Sequence, residues 1–85
     1  MTSAAVERKV AVLGAGAWGT ALAKVLAEKG DPVAMYCRRA DLVAQINEEH
    51  LNGRYLPSAK LPATLSATVD PEEALHGASM VVFVA

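Results

Sequence analysis

The sequence has few of the features that mark several large classes of protein. Cys37 is its single cysteine, so an internal disulfide is excluded, and no cysteine or histidine lies near it at metal-ligand spacing. We expect Cys37 to be a small buried residue. The longest apolar run, residues 80–85, is far shorter than the roughly 20 residues that span a bilayer. The sequence therefore predicts no disulfide framework, no metal site and no membrane span.

Net charge and aromatic residues are also scarce. The formal net charge is -1, and the chain has one Trp, two Tyr and one Phe, so it offers nucleic acid neither a basic surface nor a stacking series. Residues 1–5 lack the basic start and apolar stretch of a signal peptide, which favours a cytoplasmic location. With 85 residues, of which 53% are hydrophobic, the chain is predicted to form one small packed domain.

What the sequence does contain is a strand, a glycine turn and a helix in immediate succession. Residues 9–13 form a short apolar strand, and a helix is predicted from residue 17 to a stop at Gly30. The glycines between them fit G-x-G-x-x-G and are Gly14, Gly16 and Gly19. In this motif the first glycine permits a tight turn, the second admits a pyrophosphate, and the third lets helix and strand pack closely. Such glycines can also mark a turn that binds nothing, but this context predicts a dinucleotide site.

The apolar residues of the predicted helix recur at three- and four-residue spacing. They are followed by a lysine at the same spacing, and the set is Trp18, Leu22, Val25, Leu26 and Lys29. This pattern is typical of an amphipathic helix whose apolar stripe faces the core.

The residues after the second predicted strand, 33–37, favour one cofactor over another. Many NAD sites place an acidic residue here to accept a hydrogen bond from the ribose 2′-hydroxyl. This chain has Arg38 and Arg39, whose guanidinium groups can form charge-assisted hydrogen bonds with a 2′-phosphate. We therefore predict NADP (NADPH) in preference to NAD. The absence of an acidic residue at this position also disfavours a flavin cofactor. Two alternatives stay open: both arginines are solvated at a strand end, or Asp41 reaches a ribose hydroxyl.

A second helix and an ordered loop are predicted next. Residues 40–50 have a helical pattern, and its inward side chains are Leu42, Val43 and Ile46. Residues 52–62 contain two prolines and a glycine, which favours a loop. Tyr55 in this loop either packs on the second helix or lines the cofactor cleft.

The last predicted elements are a strand, a short helix and a strand. Residues 65–69 alternate between apolar and polar types, and Asp70 is predicted to cap the helix that follows, with Glu73 completing an Asp-x-x-Glu arrangement. Glu73 is therefore interpreted as a capping residue and not as a general acid or base. Residues 80–85 are apolar throughout, as expected within a parallel sheet.

These elements together predict an α/β fold. We expect a doubly wound parallel sheet of the Rossmann type, with strand order 3-2-1-4, truncated after its fourth strand. The cofactor is expected across the switch point between strands one and four. Residues 1–85 would then be the amino-terminal part of a dinucleotide-binding domain.

Several segments taken together resemble one known family. They resemble the amino-terminal part of bacterial NAD(P)-dependent sn-glycerol-3-phosphate dehydrogenases. The segments are GAGAWGTALA, YCRR, NGRYLP, LPATLSAT and VVFVA. The resemblance covers residues 9–85. The Trp18-Gly19-Thr20 continuation and the Tyr55-Leu56-Pro57 segment are far more specific than the glycines.

This resemblance implies a role for the parent protein and for particular residues. It implies reduction of dihydroxyacetone phosphate to sn-glycerol 3-phosphate in phospholipid synthesis, by a homodimer. Ala17 and Trp18 would lie on the cofactor, Arg38 and Arg39 on the adenosine 2′-phosphate, and Tyr55 beside the nucleotide. The catalytic lysine and the substrate-phosphate residues of the family lie on later strands and in a second domain. We therefore predict no catalytic residue in this chain and expect residues 1–85 alone to be inactive.

Two other functions remain as alternatives. A related NADP-dependent reductase of another small carbonyl acid would share the glycine turn, although it would not ordinarily carry the Tyr55-Leu56-Pro57 segment. A nucleotide-sensing module would bind the cofactor without catalysis.

Overall fold

Parallel strands form the centre of the fold. The structure is a computed structural model that describes residues 9–14 and 16–84, and within these residues β1 (Val10–Leu13), β2 (Val33–Tyr36), β3 (Leu65–Thr68) and β4 (Met80–Phe83) form one sheet. The strand order is β3-β2-β1-β4 and each pairing is parallel. The predicted fold class and strand order are confirmed. Residues 1–5, which lack the features of a signal peptide, and residue 85, the last residue of the fourth predicted strand, lie outside the described residues.

Helices connect these strands on both faces of the sheet. They are α1 (Ala17–Glu28), α2 (Ala40–Glu49) and α3 (Pro71–Leu75). One continuous core joins alternate strand residues to the inner faces of α1 and α2, and its members are Val10, Val12, Ala23, Ala27, Val33, Met35, Cys37, Leu42, Ile46, Leu61, Leu65 and Ala67. Helices α1 and α2 therefore share one face, and the right-handed crossover from β3 to β4 places α3 on the other. No helix in the described part of the chain has the length and apolar character to cross a membrane.

Helix α1 packs mainly through small residues and not through most of the large apolar residues of its predicted stripe. Its buried residues are Gly19, Thr20, Ala23 and Ala27. Trp18, Leu22 and Val25 are 81%, 36% and 53% exposed, whereas Leu26 packs against the core, so only part of the predicted stripe faces inward. The reason is close approach of the helix to the turn that follows β1, because a β-carbon on residue 19 would overlap the carbonyl oxygen of residue 14. Only small side chains fit at that separation.

Helix α2 follows its predicted pattern and also covers a strand edge. Leu42 and Ile46 are buried as expected, and His50 ends the helix in the left-handed conformation with φ 58°. The Asn47 side chain donates to the carbonyl oxygen of Ala67 at 2.9 Å and accepts from its N–H at 2.8 Å. Because Ala67 lies on the outer strand β3, Asn47 satisfies backbone groups that would otherwise form an open edge.

The short helix α3 begins with a side-chain cap. The Asp70 carboxylate accepts the N–H of Glu72 at 3.0 Å, as predicted, and Pro71 occupies the first helical position. The expected return contact from Glu73 is replaced, because the Asp70 N–H donates to the Thr68 hydroxyl at 3.0 Å. The predicted cap by Asp70 is therefore confirmed, and the predicted return contact from Glu73 is wrong.

Strand β4 occupies the other edge of the described sheet. It pairs with β1, and Met80, Val81 and Phe83 are exposed there. An apolar strand of this kind is typical of the interior of a parallel sheet.

Candidate dinucleotide-binding site

A cavity of about 800 Å³ lies at the carboxyl ends of β1, β2 and β4. In open α/β sheets ligands bind at this point, where the strand order changes direction, and small-molecule sites have volumes of about 300–1,000 Å³. Every residue predicted for the cofactor site lines this one cavity: Gly14, Gly16, Ala17, Trp18, Gly19, Arg38, Arg39 and Tyr55. Their contact with a cofactor stays a prediction, but the fold does bring them together.

The three glycines of the turn differ in what a side chain at each position would meet. Gly14 has φ 132°, which L side chains rarely adopt, and a β-carbon there would lie 2.5 Å from the carbonyl oxygen of Val84. A β-carbon on Gly19 would overlap the Gly14 carbonyl, which explains the close packing of α1 on β1. Gly16 differs, because a β-carbon there would meet no atom within 4 Å. Among residues 9–14 and 16–84, nothing fills the space over Gly16, which leaves its backbone open to a ligand on that side.

The start of α1 is suited to a phosphate. Gly16 is the N-cap residue, it supplies no side-chain cap, and the first turn carries no acidic residue. The first N–H groups of a helix have no intrahelical partner, and the helix dipole places partial positive charge there. An anion in the cavity would therefore meet backbone donors without competition from a carboxylate.

The two arginines after β2 have different surroundings. Arg39 Nη2 lies 3.0 Å from Asp41 Oδ2, and this hydrogen bond raises the pKa of the Arg39 guanidinium and lowers the pKa of the Asp41 carboxyl. Arg38 is exposed, and within residues 9–14 and 16–84 its side chain has no hydrogen bond or ion pair. Its guanidinium is therefore fully available to an anion, whereas Arg39 is partly neutralised. Asp41 could reach a ribose only by giving up this pair.

Tyr55 lies at the rim of the cavity. Its side chain is partly exposed, and Arg54 Nε donates to its hydroxyl at 3.1 Å with the guanidinium 5.4 Å from the ring centroid. Leu56, its neighbour, packs against the core instead. Tyr55 therefore lines the cavity, and its contact with a cofactor stays a prediction.

Other lining residues were not predicted. Tyr36, Phe83 and Val84 stand at the ends of β2 and β4, and Pro71 opens α3. The signal that could have found them is position alone, since residues at the carboxyl ends of β1 and its neighbours meet at the switch point. Phe83 adds an exposed aromatic ring to the side of the cavity opposite the arginines.

The chemistry offered by these residues is that of binding. Backbone N–H groups, guanidinium groups and aromatic rings can hold a dinucleotide and orient it. Among the residues that the structure describes, no three His, Cys, Asp or Glu side chains are grouped to hold a metal ion.

Comparison with known proteins identifies the family. A family model described as the amino-terminus of NAD-dependent glycerol-3-phosphate dehydrogenase matches residues 9–85. The chain belongs to this family. A relative named glycerol-3-phosphate dehydrogenase [NAD(P)+] 2, from Mycobacterium tuberculosis, is 56% identical over 79 residues, which are 93% of this chain and 24% of that protein. The Bacillus subtilis glycerol-3-phosphate dehydrogenase [NAD(P)+] is 48% identical over 75 residues, which are 88% of this chain and 22% of that protein.

Solved structures of the same family have the same fold. The crystal structure of glycerol-3-phosphate dehydrogenase from Coxiella burnetii has a TM-score of 0.85 at 42% identity and covers 93% of this chain and 24% of its own. A yeast glycerol-3-phosphate dehydrogenase has a TM-score of 0.83 at 36% identity, with coverage of 93% and 26%. The resemblance drawn from the sequence is confirmed. The chain spans about a quarter of the length of the curated relatives it matches.

Proposed function

We propose that the cavity binds NADP(H) and that the intact protein uses it to reduce dihydroxyacetone phosphate to sn-glycerol 3-phosphate. The observation that carries this proposal is the open space over Gly16 in front of the uncapped start of α1. A pyrophosphate placed there would contact backbone N–H groups and the positive end of a helix. The family match supports a reaction at glycerol 3-phosphate, because relatives of this chain are named glycerol-3-phosphate dehydrogenase [NAD(P)+].

The choice of NADP over NAD rests on the arginines at the end of β2. Arg38 and Arg39 both line the cavity on the side of the second strand, where the ribose of a dinucleotide lies in this fold. A 2′-phosphate there would gain charge-assisted hydrogen bonds that a 2′-hydroxyl does not. Because Arg39 is already paired with Asp41, we assign the larger share of the discrimination to Arg38.

Catalysis is assigned to the remainder of the intact protein. Hydride transfer comes from the nicotinamide, and the residues of this chain hold and orient that cofactor. The proton donor and the groups that bind the substrate phosphate would come from outside the chain described here. We further propose a cytoplasmic homodimer that serves phospholipid synthesis, as the family resemblance implies.

The test compares two cofactors on the intact protein that carries this chain. NADPH and NADH affinities are measured by titration calorimetry for the wild type, Arg38→Ala and Arg39→Ala. Hydrogen bonds to a charged group are worth about 1.5–3 kcal/mol, so losing one should weaken NADPH binding about tenfold to a hundredfold. NADH affinity should change little, and Arg38→Ala should have the larger effect.

A matched control removes a positive charge elsewhere. Lys60→Ala takes away an exposed cation that does not line the cavity, so it should leave both affinities near the wild type. Equal losses for NADPH and NADH in both arginine variants would contradict the phosphate assignment. Oxidation of NADPH that depends on added dihydroxyacetone phosphate would support the reaction, and cofactor binding without turnover would favour a nucleotide sensor.

A further inference from the structure

A buried polar side chain links the loop that carries Tyr55 to the first turns of α1. Asn52 and Thr20 are both fully buried, and Asn52 Nδ2 donates to Thr20 Oγ1 at 2.7 Å. Asn52 Oδ1 also accepts the N–H of Tyr55 at 3.1 Å, and the Asn52 carbonyl accepts the N–H of Leu56 at 2.8 Å. One residue therefore joins the helix to the backbone of a residue at the rim of the cavity.

On the helix side, the link continues to the glycine turn. The Thr20 N–H donates to the carbonyl oxygen of Gly16 at 2.9 Å. Gly16, Thr20, Asn52 and Tyr55 are thus connected by consecutive hydrogen bonds, and the first and last of them line the cavity. Buried polar groups are costly to leave half satisfied, so this series specifies one separation between the turn and Tyr55.

We propose that Asn52 is a positioning residue for the dinucleotide, which sets the distance between Tyr55 and the glycine turn without contacting the ligand. Asn52 does not line the cavity, so it would act through the residues it holds, chiefly Tyr55. This inference rests on the proposed function, because the ligand is the NADP(H) assigned above.

Other contacts already hold the two ends of the loop. Leu61 is buried in the core and its N–H donates to the His50 carbonyl at 2.7 Å. The Gly53 N–H donates to the Gln45 side chain at 2.7 Å. Loss of the Asn52 link should therefore loosen the segment around Tyr55 while the rest of the fold is retained.

The first experiment needs no ligand. The Arg54–Tyr55 peptide bond is a trypsin site within the linked segment, so its cleavage rate in the intact protein reports how firmly Tyr55 is held. Thr20→Val removes the hydroxyl acceptor at similar volume, and Thr20→Ser keeps it. We expect cleavage after Arg54 to rise about fivefold or more in Thr20→Val and Asn52→Ala, and to stay near the wild-type rate in Thr20→Ser. Unchanged cleavage in Thr20→Val and Asn52→Ala would overturn the proposal.

The second experiment asks whether the link acts through Tyr55. NADPH affinity of the intact protein is measured for Thr20→Val, Tyr55→Ala and the double variant. We expect Thr20→Val to weaken binding several-fold in the wild-type background and to add little once Tyr55 is truncated. Fully additive losses, or no loss on truncating Tyr55, would overturn the inference.

The two experiments separate this inference from the proposed function. Wild-type protein that binds neither NADPH nor NADH would overturn the proposed function and the ligand named here. The trypsin result is independent of any ligand and reports on the link itself. We expect NADPH affinity near the wild type in Thr20→Ser, because this variant keeps the hydroxyl. Weakened binding in Thr20→Ser equal to that in Thr20→Val would point to a general disturbance of α1 and would overturn the inference.

Discussion

Helices α1 and α2 cover the same face of the sheet in opposite ways. Helix α1 buries small residues such as Ala23 and Ala27 and leaves Trp18 and Val25 exposed. Helix α2 buries its large apolar residues, of which Ile46 is fully enclosed. The hydrophobic pattern therefore predicts the packing of α2 correctly and that of α1 only in part, through Leu26.

The difference follows from what each helix has to do. Helix α1 starts directly from the glycine turn, and Gly19 lies so close to β1 that no side chain fits between them. That closeness brings the positive end of the helix to the point where β1 ends. Helix α2 has no such constraint, so ordinary burial of large side chains decides its orientation. A helix that presents its end to a ligand can thus give up the usual apolar packing.

The largest expected effect comes from forcing α1 away from β1. Gly19→Val would place side-chain atoms where the Gly14 carbonyl lies, so α1 would have to move off the strand. We expect a loss of about 3 kcal/mol or more in the free energy of unfolding, the upper end for overpacked sites, together with loss of NADPH binding. Chemical denaturation of the intact protein measures the first and fluorescence titration the second.

Gly16→Val is the matched control on the same turn. The space around Gly16 is open within the protein, so we expect near-normal stability and no measurable NADPH binding. Near-normal affinity in Gly16→Val would show that the pyrophosphate does not lie over this residue. Normal stability in Gly19→Val would contradict the close-packing explanation of α1.

A moderate effect is expected from shortening an apolar side chain on each helix. Ile46→Ala on α2 removes fully buried methyl and methylene groups and should cost about 2–5 kcal/mol. Val25→Ala on α1 shortens a side chain that is half exposed, so its effect should stay within about 0.5 kcal/mol. Both are measured as changes in the free energy of unfolding of the intact protein. A loss at Val25 as large as that at Ile46 would mean that the outward face of α1 is not open.

The contrast also shows what sequence patterns can predict here. Element order, strand order and the glycine turn depend on local features: apolar runs, glycines and proline at fixed offsets. Gly14, Gly16, Gly19, Arg38 and Arg39 could be predicted because the glycine motif and the ends of parallel strands meet at one edge of the sheet, whereas Ala17, Trp18 and Tyr55 came from the family resemblance. The inward face of α1 depends on a separation between helix and strand that no spacing of apolar residues encodes.

Two features of the candidate site were out of reach for a similar reason. The pairing of Arg39 with Asp41 depends on how the chain turns into α2, and it makes Arg38 the freer arginine. The Asn52–Thr20 hydrogen bond joins residues far apart in the chain. Asn52 in a loop otherwise indicates only a turn. Such pairs become visible once the tertiary positions are known.

The smallest expected effect concerns the starts of the two helices. The first turn of α1 has no acidic residue, whereas the first turn of α2 carries Asp41 paired with Arg39. Asp41→Asn removes a negative charge near the proposed 2′-phosphate and releases Arg39 to bind it. We expect NADPH affinity to rise about twofold to fivefold, as for an exposed ion pair, with NADH affinity nearly unchanged. Glu28→Gln, which breaks the exposed Lys24–Glu28 pair at the far end of α1, is the matched control and should change neither affinity.

The pH dependence of this effect has a defined sign. The Asp41 carboxylate is charged at neutral pH, and because Arg39 lowers its pKa below the ordinary value, the pair is lost only as the pH falls through that lowered pKa. The advantage of Asp41→Asn should therefore be present at pH 7 and should shrink in 1 M salt, where the Debye length is about 3 Å. Titration calorimetry at pH 7, at low and at high salt, measures the gain in NADPH affinity and its loss on screening. A gain shared equally by NADH would place Asp41 near another part of the dinucleotide, because the 2′-phosphate is the one group that distinguishes the two cofactors.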